Sequence, residues 1–447
     1  EAWAEGVRRA RAAVLTEPGR LRAIGAALAA LVVLFGAVTA WQVADRSAAA
    51  DAVVTDSQPL SADAARVYRS LADADTSASS GFLAGGEEPR AVRERYEKDI
   101  REASELLASA AANSGNSASA QRQIAVLNRG LPVYTGLVES ARANNRQGLP
   151  LGGAYLRYAN EKMRGELLPA ARALYTEETR RLRADYDDAE SWPLLALGAG
   201  VLALGALGWA QHRHYRRTNR VFNLGLLGAT AATLALLVWL TGGHALARAG
   251  LVDSDEQGAR SLHALNAAWI SALQARGDEN MTLVARGGGA AYEKSYRKQM
   301  AHVAGAGKQR NGDRDGDGDG DGDGTGQLDD ALALADDAAG KAAIERARQA
   351  VGTWKERHAR ARALDDGGEY DRAVRMVIGS DRSTGASFDR VDGSLGVASA
   401  HEQKQFTRAA DGGRGWFGGL TVGALALAVA GAAAAVLGIG RRLAEYR

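Results

Sequence analysis

A run of alternating aspartates and glycines, residues 312–326, is the segment whose residue types and spacing could bind an ion. Asp319, Asp321 and Asp323 stand at positions one, three and five of an EF-hand-like loop, and Asp330 stands at position twelve. Carboxylates at this spacing are ligands for calcium. The loop departs from the pattern, because position twelve is Asp rather than Glu and position eight is glycine rather than an aliphatic residue. The same composition is typical of an extended acidic linker, so the linker and the calcium site both stay open.

The histidines are the other side chains with potential chemistry, and their positions favour structural roles. His358 lies on a core-facing stripe one turn after Trp354, where a hydrogen-bonded packing histidine is expected. His263 and His302 have no partner at metal-ligand spacing. The sequence has no cysteine and no Ser-His-Asp order, phosphate-binding loop or HExxH motif. We therefore predict a protein that is not an enzyme and that needs no cofactor, with calcium as the one alternative.

Four apolar stretches of about 20 residues, with no charge at their centres, are long enough to cross a bilayer of ~30 Å. They cover residues 21–44, 192–210, 221–241 and 416–439. Arginines cluster before the first stretch, between the second and third, and after the fourth. Because basic residues near span ends stay in the cytoplasm, the pattern predicts a multi-pass plasma-membrane protein with both termini cytoplasmic.

This topology leaves two long segments outside the cell, residues 45–191 and 242–415, the second of which carries the Asp-Gly insertion. Residues 1–20 are predicted to form an amphipathic cytoplasmic segment. Residues 211–220 form a basic cytoplasmic turn, and residues 440–447 form a short tail. The cytoplasmic side is therefore too small for a catalytic domain.

The two outer segments repeat one pattern. Leu71 and the Gly-Gly pair at Gly85 recur, with the interval between them unchanged, as Leu273 and the Gly-Gly pair at Gly287. Two apolar stripes then match position by position at one constant offset: Ile124, Leu127, Leu131, Tyr134, Val138, Ala141 and Ile344, Ala347, Val351, Trp354, His358, Ala361. The alternating three- and four-residue steps indicate antiparallel helices with coiled-coil-like packing. The predicted fold is all-α: four transmembrane helices and two extracytoplasmic four-helix bundles that arose by internal duplication.

The architecture favours a transmembrane signal transmitter. The spans contain no Asp, Glu or Lys that a proton- or ion-coupled carrier would keep facing a cavity, so an accessory subunit of an amino-acid transport system is the weaker alternative. An envelope-associated structural scaffold is another alternative. A net charge of +2 gives no bias towards nucleic acid. The basic turn, with Arg213, Arg216, Arg217 and Arg220, is the predicted docking site for a cytoplasmic partner.

Two short motifs carry a resemblance to a known family. Residues 212–220 (HRHYRRTNR) lead into 221–226 (VFNLGL), and residues 276–280 (RGDEN) follow in the second outer segment. With four spans and two outward helical domains, the chain resembles the actinobacterial membrane proteins of the GlnX type. The resemblance implies that an extracytoplasmic solute-binding lipoprotein senses glutamine or acidic amino acids. It also implies that the four-span protein relays this state to a soluble Ser/Thr kinase G; it supplies no catalytic or ligand residues.

Overall fold

The computed structural model describes residues 17–113, 115, 117–218, 223–305 and 325–444. In this part of the chain 90% of the structure is helix and no strand occurs, as the all-α prediction requires. The helices up to and including the basic turn are α1 (Glu17–Ala52), π1 (Val53–Ser57), α2 (Gln58–Leu83), α3 (Arg90–Asn113), α4 (Ala118–Arg146), α5 (Leu151–Lys162), π2 (Met163–Leu167), α6 (Leu168–Glu190) and α7 (Leu194–Thr218). Those that follow are α8 (Leu224–Asp253), π3 (Ser254–Ala259), α9 (Arg260–Val284), α10 (Ala290–Ala304), α11 (Gln327–Leu334), α12 (Ala338–Asp366), α13 (Tyr370–Ile378), α14 (Thr384–Gly415) and α15 (Leu420–Ala444).

Four helices in the described chain are long and apolar enough to cross a membrane, which confirms the four predicted spans. They are α1, α7, α8 and α15, of 36, 25, 30 and 25 residues. At a rise of about 1.5 Å per residue each exceeds a hydrocarbon thickness of ~30 Å. The chain is therefore that of a multi-pass membrane protein.

The chain forms two compact units, and three stretches make up the first, which we call the span unit: residues 1–53, 185–252 and 409–447. Small residues bring its helices together. A Cβ placed on Gly225 of α8 would come within 2.2 Å of the Gly438 Cα of α15, and one on Gly36 of α1 would come within 2.1 Å of the Ala428 Cβ. Such close backbone approach is the usual basis of helix association in lipid, where no hydrophobic effect drives helices together.

The second unit, which we call the polar unit, contains residues 54–184 and 253–408. Both segments contribute to one hydrophobic core. Every residue of the two predicted stripes is buried, along α4 and along α12. The three- and four-residue steps therefore identified the core faces correctly.

Matched elements recur in the two segments of the polar unit. Helices α4 and α12 each have 29 residues, and their first residues are separated by the same offset as the two stripes. Each is followed by the same turn, in which Gly148 and Gly368 have φ of +68° and +79°. A π-helical turn precedes the first long helix of each segment, π1 before α2 and π3 before α9. These observations favour the duplication, which stays a prediction.

The helices are more interrupted than the periodicity predicts. The last helix of each outer segment ends before the next span, because turns intervene at Ser191–Pro193 and at Trp416–Gly419. Pro193 disfavours α-helix at the residue before it, and Gly419 has a φ of +79°. A further irregularity is the π-helical turn π2, which ends at Leu167, shortly before Pro169.

Candidate functional site

The residues that the sequence marks for ion binding and docking do not form one site in the described chain. Asp319, Asp321 and Asp323 lie outside the described residues. Asp330 lies in the first turn of α11, exposed, where its Oδ1 accepts a hydrogen bond of 3.3 Å from the Thr325 hydroxyl. No group of three His, Cys, Asp or Glu side chains that could hold a metal occurs among the described residues. The calcium site therefore stays a prediction.

The basic turn is described in part. The Arg213 guanidinium lies 5.4 Å from the centre of the Trp209 ring, and the Arg216 side chain is exposed. Arg217 falls within α7, and Arg220 lies outside the described residues. Partner docking at these arginines stays a prediction.

Residues 276–280, one of the motifs that carry the family resemblance, place several charged and polar side chains in the interior of the polar unit. The Arg276 guanidinium contacts Glu279 at 2.5 Å and donates to the Thr384 hydroxyl at 2.9 Å. Asn280 donates to the hydroxyls of Ser79 and Ser80, on the neighbouring helix α2. The motif therefore joins elements of the polar unit from within its core.

Glu279 is the centre of the first buried network. Its carboxylate accepts hydrogen bonds from the Trp354 indole at 3.1 Å and from His358 Nδ1 at 2.9 Å. The other ring nitrogen of His358 contacts Glu293 Oε2 at 3.1 Å. Burial lowers the pKa of His358, but the two glutamates outweigh it and raise the pKa to about 9. His358 is therefore the hydrogen-bonded core histidine that the stripe predicts, and it is charged at neutral pH.

A corresponding network surrounds Asp75 in the first segment. Its Oδ1 accepts from the Tyr134 hydroxyl at 3.3 Å, and its Oδ2 accepts from the Asn160 amide at 2.7 Å. Tyr134 and Trp354 hold the same place in the two matched stripes, so equivalent aromatic side chains bind a buried carboxylate in both segments. Nearby, Arg164 of π2 contacts Asp278 at 2.5 Å. Hydrogen bonds thus satisfy the Asp75 carboxylate and an ion pair opposes the charge of Asp278, which gives these networks a structural role.

Arg95 is the centre of a third network of charged side chains. Its guanidinium contacts Asp73 at 2.8 Å and Asp392 at 2.9 Å. Burial raises the pKa of Asp73 to about 6 although Arg95 opposes it. Burial and the charge of Asp73 raise the pKa of Asp99 to about 8. At neutral pH Asp99 is therefore largely protonated.

A cavity of about 680 Å³ lies within the polar unit, a volume in the range of small-molecule sites. Its walls come from α2, α6, π3 with α9, and α14, with one residue of α11. The residues that line it are Gln58, Pro59, Ser61, Ala62, Asp63, Arg66, Arg69, Tyr175, Thr179, Leu182, Arg183, Asp255, Ala259, Arg260, Leu262, His263, Ala264, Asn266, Trp269, Leu334, Gly396, Ser399, Ala400 and Gln403. The four principal walls belong to the four helical segments that adjoin the spans in the chain.

Aromatic and polar side chains contact one another on the cavity wall. The Tyr175 and His263 rings stack with centres 5.5 Å apart, and a hydrogen bond of 2.7 Å joins the Tyr175 hydroxyl to His263 Nδ1. The Arg69 guanidinium lies 4.4 Å from the centre of the Trp269 ring and donates to the Asn266 side chain. Such a wall can hold a ligand with an apolar body and a polar group.

Sequence reasoning missed this cavity. It singled out His263 only as an isolated histidine, and it did not mark Arg69, Tyr175 or Trp269. These residues come from segments that are far apart in the sequence, and no local motif connects them. Their shared signal is that all of them lie on helices leading to spans.

Comparison with known proteins identifies a class for the first segment. A family model described as the actinobacterial sensor domain matches residues 49–187. This range includes α2 and α6, two of the four principal cavity walls. The match supports an actinobacterial sensor protein with a sensing or signalling role. Searches of the curated proteins and of the solved structures found no match.

Proposed function

We propose that this protein is a non-enzymatic transmembrane transmitter that converts the state of its cavity into a movement of its membrane helices. The polar unit faces the outside of the cell and consists of two duplicated four-helix bundles. Both termini and the basic turn face the cytoplasm, in accordance with the arginine clusters at the span ends. The match of residues 49–187 to a sensor domain supports the sensing half of this proposal.

The observation that carries the proposal is the identity of the cavity walls. The helical segments Gly19–Leu83, Leu151–Arg216, Leu224–Val284 and Thr384–Arg441 each contain a candidate span, and each contributes a wall of the cavity. An occupant that separates these walls therefore acts on all four span-bearing segments at once. Packed helices shift by about 1–2 Å between discrete arrangements in known switches.

The turns π1 and π3 support the same mechanism. Gln58 and Pro59, directly after π1, line the cavity, and so does Asp255 within π3. π-Helical turns are rare and are frequently found at functional sites. Local changes at these turns would let the cavity walls move without unfolding the helices.

The signal is then read by a cytoplasmic partner. We propose that the basic turn containing Arg213 and Arg216 docks this partner. In line with the resemblance to GlnX-type proteins, the reader is a soluble Ser/Thr kinase, and a solute-binding lipoprotein docks outside.

The relay can be tested without knowing the ligand. Ala62 and Ala400 line the cavity on α2 and α14, so replacing either with Trp fills it. The chain has no cysteine, so spin labels at Ala26→Cys and Leu437→Cys, exposed positions on α1 and α15, are the only labels. We expect Ala400→Trp and Ala62→Trp to change the label-to-label distance in nanodiscs by about 1–2 Å.

The matched control is Ala125→Trp, which adds the same side chain at an exposed position of α4 away from the cavity. An unchanged distance in both cavity-filling variants, at unchanged helix content, would refute the relay. Crosslinking from native membranes tests the partners. Recovery of a binding lipoprotein and a kinase supports the proposal, whereas transporter subunits or envelope proteins alone contradict it.

A further inference from the structure

The charges on the cavity wall do not balance. Four arginines line the cavity against two aspartates. Arg66 pairs with Asp63, and Arg260 pairs with Asp255 at 3.0 Å. Among the described residues no carboxylate forms an ion pair with the two other arginines, Arg69 and Arg183. The acidic groups that oppose these two charges lie beyond ion-pair contact: Glu102 and Asp392 act on Arg69, and Asp255 acts on Arg183.

Burial and neighbouring positive charge act on two side chains of the cavity wall, Arg69 and His263. Burial and the neighbouring Arg66 lower the pKa of Arg69 to about 10, so it stays charged at neutral pH but in an unfavourable setting. Burial and the charge of Arg183 lower the pKa of His263, which keeps that ring neutral. An anion in the cavity would stabilise Arg69, because this buried guanidinium gains a charge-assisted hydrogen bond partly shielded from water, and the exposed Arg183 would add a second cation at the cavity wall.

The remainder of the wall is apolar. Leu182, Leu262 and Leu334 contribute aliphatic surface, and Trp269 and Tyr175 contribute rings. Arg69 already lies over the Trp269 ring, which orients its guanidinium plane. A free inorganic ion would leave most of this apolar surface in contact with water, so the wall fits a larger molecule.

We propose that the cavity binds an organic anion that carries a carboxylate or phosphate group on an apolar body. Arg69 and Arg183 hold the anionic group, and the apolar body packs against Trp269 and the leucines. This inference rests on the proposed function, in which the cavity is the sensing site, and it names the ligand class of that site. A dissolved carboxylate and the headgroup of an acidic lipid share this chemistry.

Equilibrium dialysis tests the proposal on the full chain in phosphatidylcholine nanodiscs, with radiolabelled phenylacetate as the probe. Phenylacetamide has the same shape without the charge. We expect phenylacetate to bind at least about tenfold more tightly than phenylacetamide, since an arginine pair partly shielded from water discriminates for charge. Arg183→Met, at an exposed residue of α6, should abolish this preference at unchanged melting temperature. Arg69→Met should do so as well.

The matched control is Arg180→Met, which removes an exposed arginine of the same helix that pairs with Glu177 and does not line the cavity. Arg180→Met should leave the affinity for phenylacetate unchanged. Adding phosphatidylglycerol to the nanodiscs distinguishes the two sources, because a lipid occupant weakens phenylacetate binding in the wild type but not in Arg183→Met. Equal binding of phenylacetate and phenylacetamide, or a preference that survives both Arg69→Met and Arg183→Met, would overturn the proposal.

The outcomes also separate this inference from the relay. Binding of phenylacetate without a change of the distance between labels at residues 26 and 437 contradicts the relay and leaves the anion site. A distance change in the cavity-filling variants without phenylacetate binding supports the relay and overturns the anion site.

Discussion

Replacing His358 with glutamine should remove a defined part of the pH dependence of stability. His358 is 7% exposed in its side chain and contacts two carboxylates, Glu279 at 2.9 Å and Glu293 at 3.1 Å. Arg276 also contacts Glu279, and the Tyr296 ring stacks on the imidazole with centres 3.7 Å apart. The protonated ring donates to both carboxylates, whereas a neutral ring can donate to only one.

The magnitude follows from the pKa in the folded and unfolded chain. The folded pKa of His358 is about 9, against an ordinary value of 6.5. At about 1.36 kcal/mol per pKa unit, this difference corresponds to about 3 kcal/mol of stability. Because the folded pKa is raised, the contribution is fully present below pH 6.5 and is lost as the pH rises through about 9.

The assay is thermal unfolding of the full chain in detergent, followed by circular dichroism from about pH 6 to about pH 10. The melting temperature of the wild type should fall more steeply across this range than that of His358→Gln. The plots of melting temperature against pH for the two proteins should therefore converge at alkaline pH. His302→Gln, at an exposed residue of α10, is the matched control and should parallel the wild type. A constant difference between His358→Gln and the wild type at all pH values would refute the linkage.

Three further variants test the buried charges and the span packing. The folded pKa of Asp99 is raised from 3.8 to about 8, so ionisation of this carboxyl group destabilises the folded protein. Asp99→Asn should therefore be more stable than the wild type by an amount that grows as the pH rises through this range. Melting curves of both proteins at acidic and alkaline pH measure the difference. Trp354→Phe removes the indole donor to Glu279 and should lower the free energy of unfolding by about 1–3 kcal/mol, measured by denaturant titration. Gly225→Ala places a Cβ within 2.2 Å of the backbone of α15 and should lower the melting temperature, whereas Gly228→Ala, with its nearest neighbour at 3.5 Å, should not.

Each of these variants has an outcome that contradicts its reasoning. A gain in Asp99→Asn that is independent of pH would mean that the carboxyl group is not protonated in the folded protein. Wild-type stability in Trp354→Phe would mean that Glu279 is satisfied without the indole. Equal melting temperatures of Gly225→Ala and Gly228→Ala would exclude close contact between α8 and α15.

The core faces and the spans were predictable because both depend on local patterns. The stripe that includes Leu127 and Val138 repeats every three or four residues, so it indicates its buried face without any knowledge of the partner helix. The same applies to the apolar length of α1 and α8. Both patterns can be recognised within a short stretch of the sequence.

The buried charges and the cavity were not predictable in this way. Asp75 and Glu279 lie on helix faces that a polarity pattern assigns to solvent, and they are buried because side chains remote in the sequence satisfy them. The cavity depends on how four helices are placed relative to one another, and these helices are far apart in the sequence. Neither π1 nor π3 has a sequence signature, because one additional residue in a turn leaves the composition unchanged.

The π-helical turn π2 sets the rotational phase of the helix that follows it. The Leu168 amide donates to the carbonyl of Met163, so this turn holds one residue more than an α-helical turn. Converting this turn to regular α-helix without removing a residue would rotate everything beyond it by about 100° about the helix axis. Tyr175 and Arg183 would then no longer face the cavity, although no cavity residue had changed. The length of this turn is thus as much a determinant of the wall of α6 as the identity of its side chains.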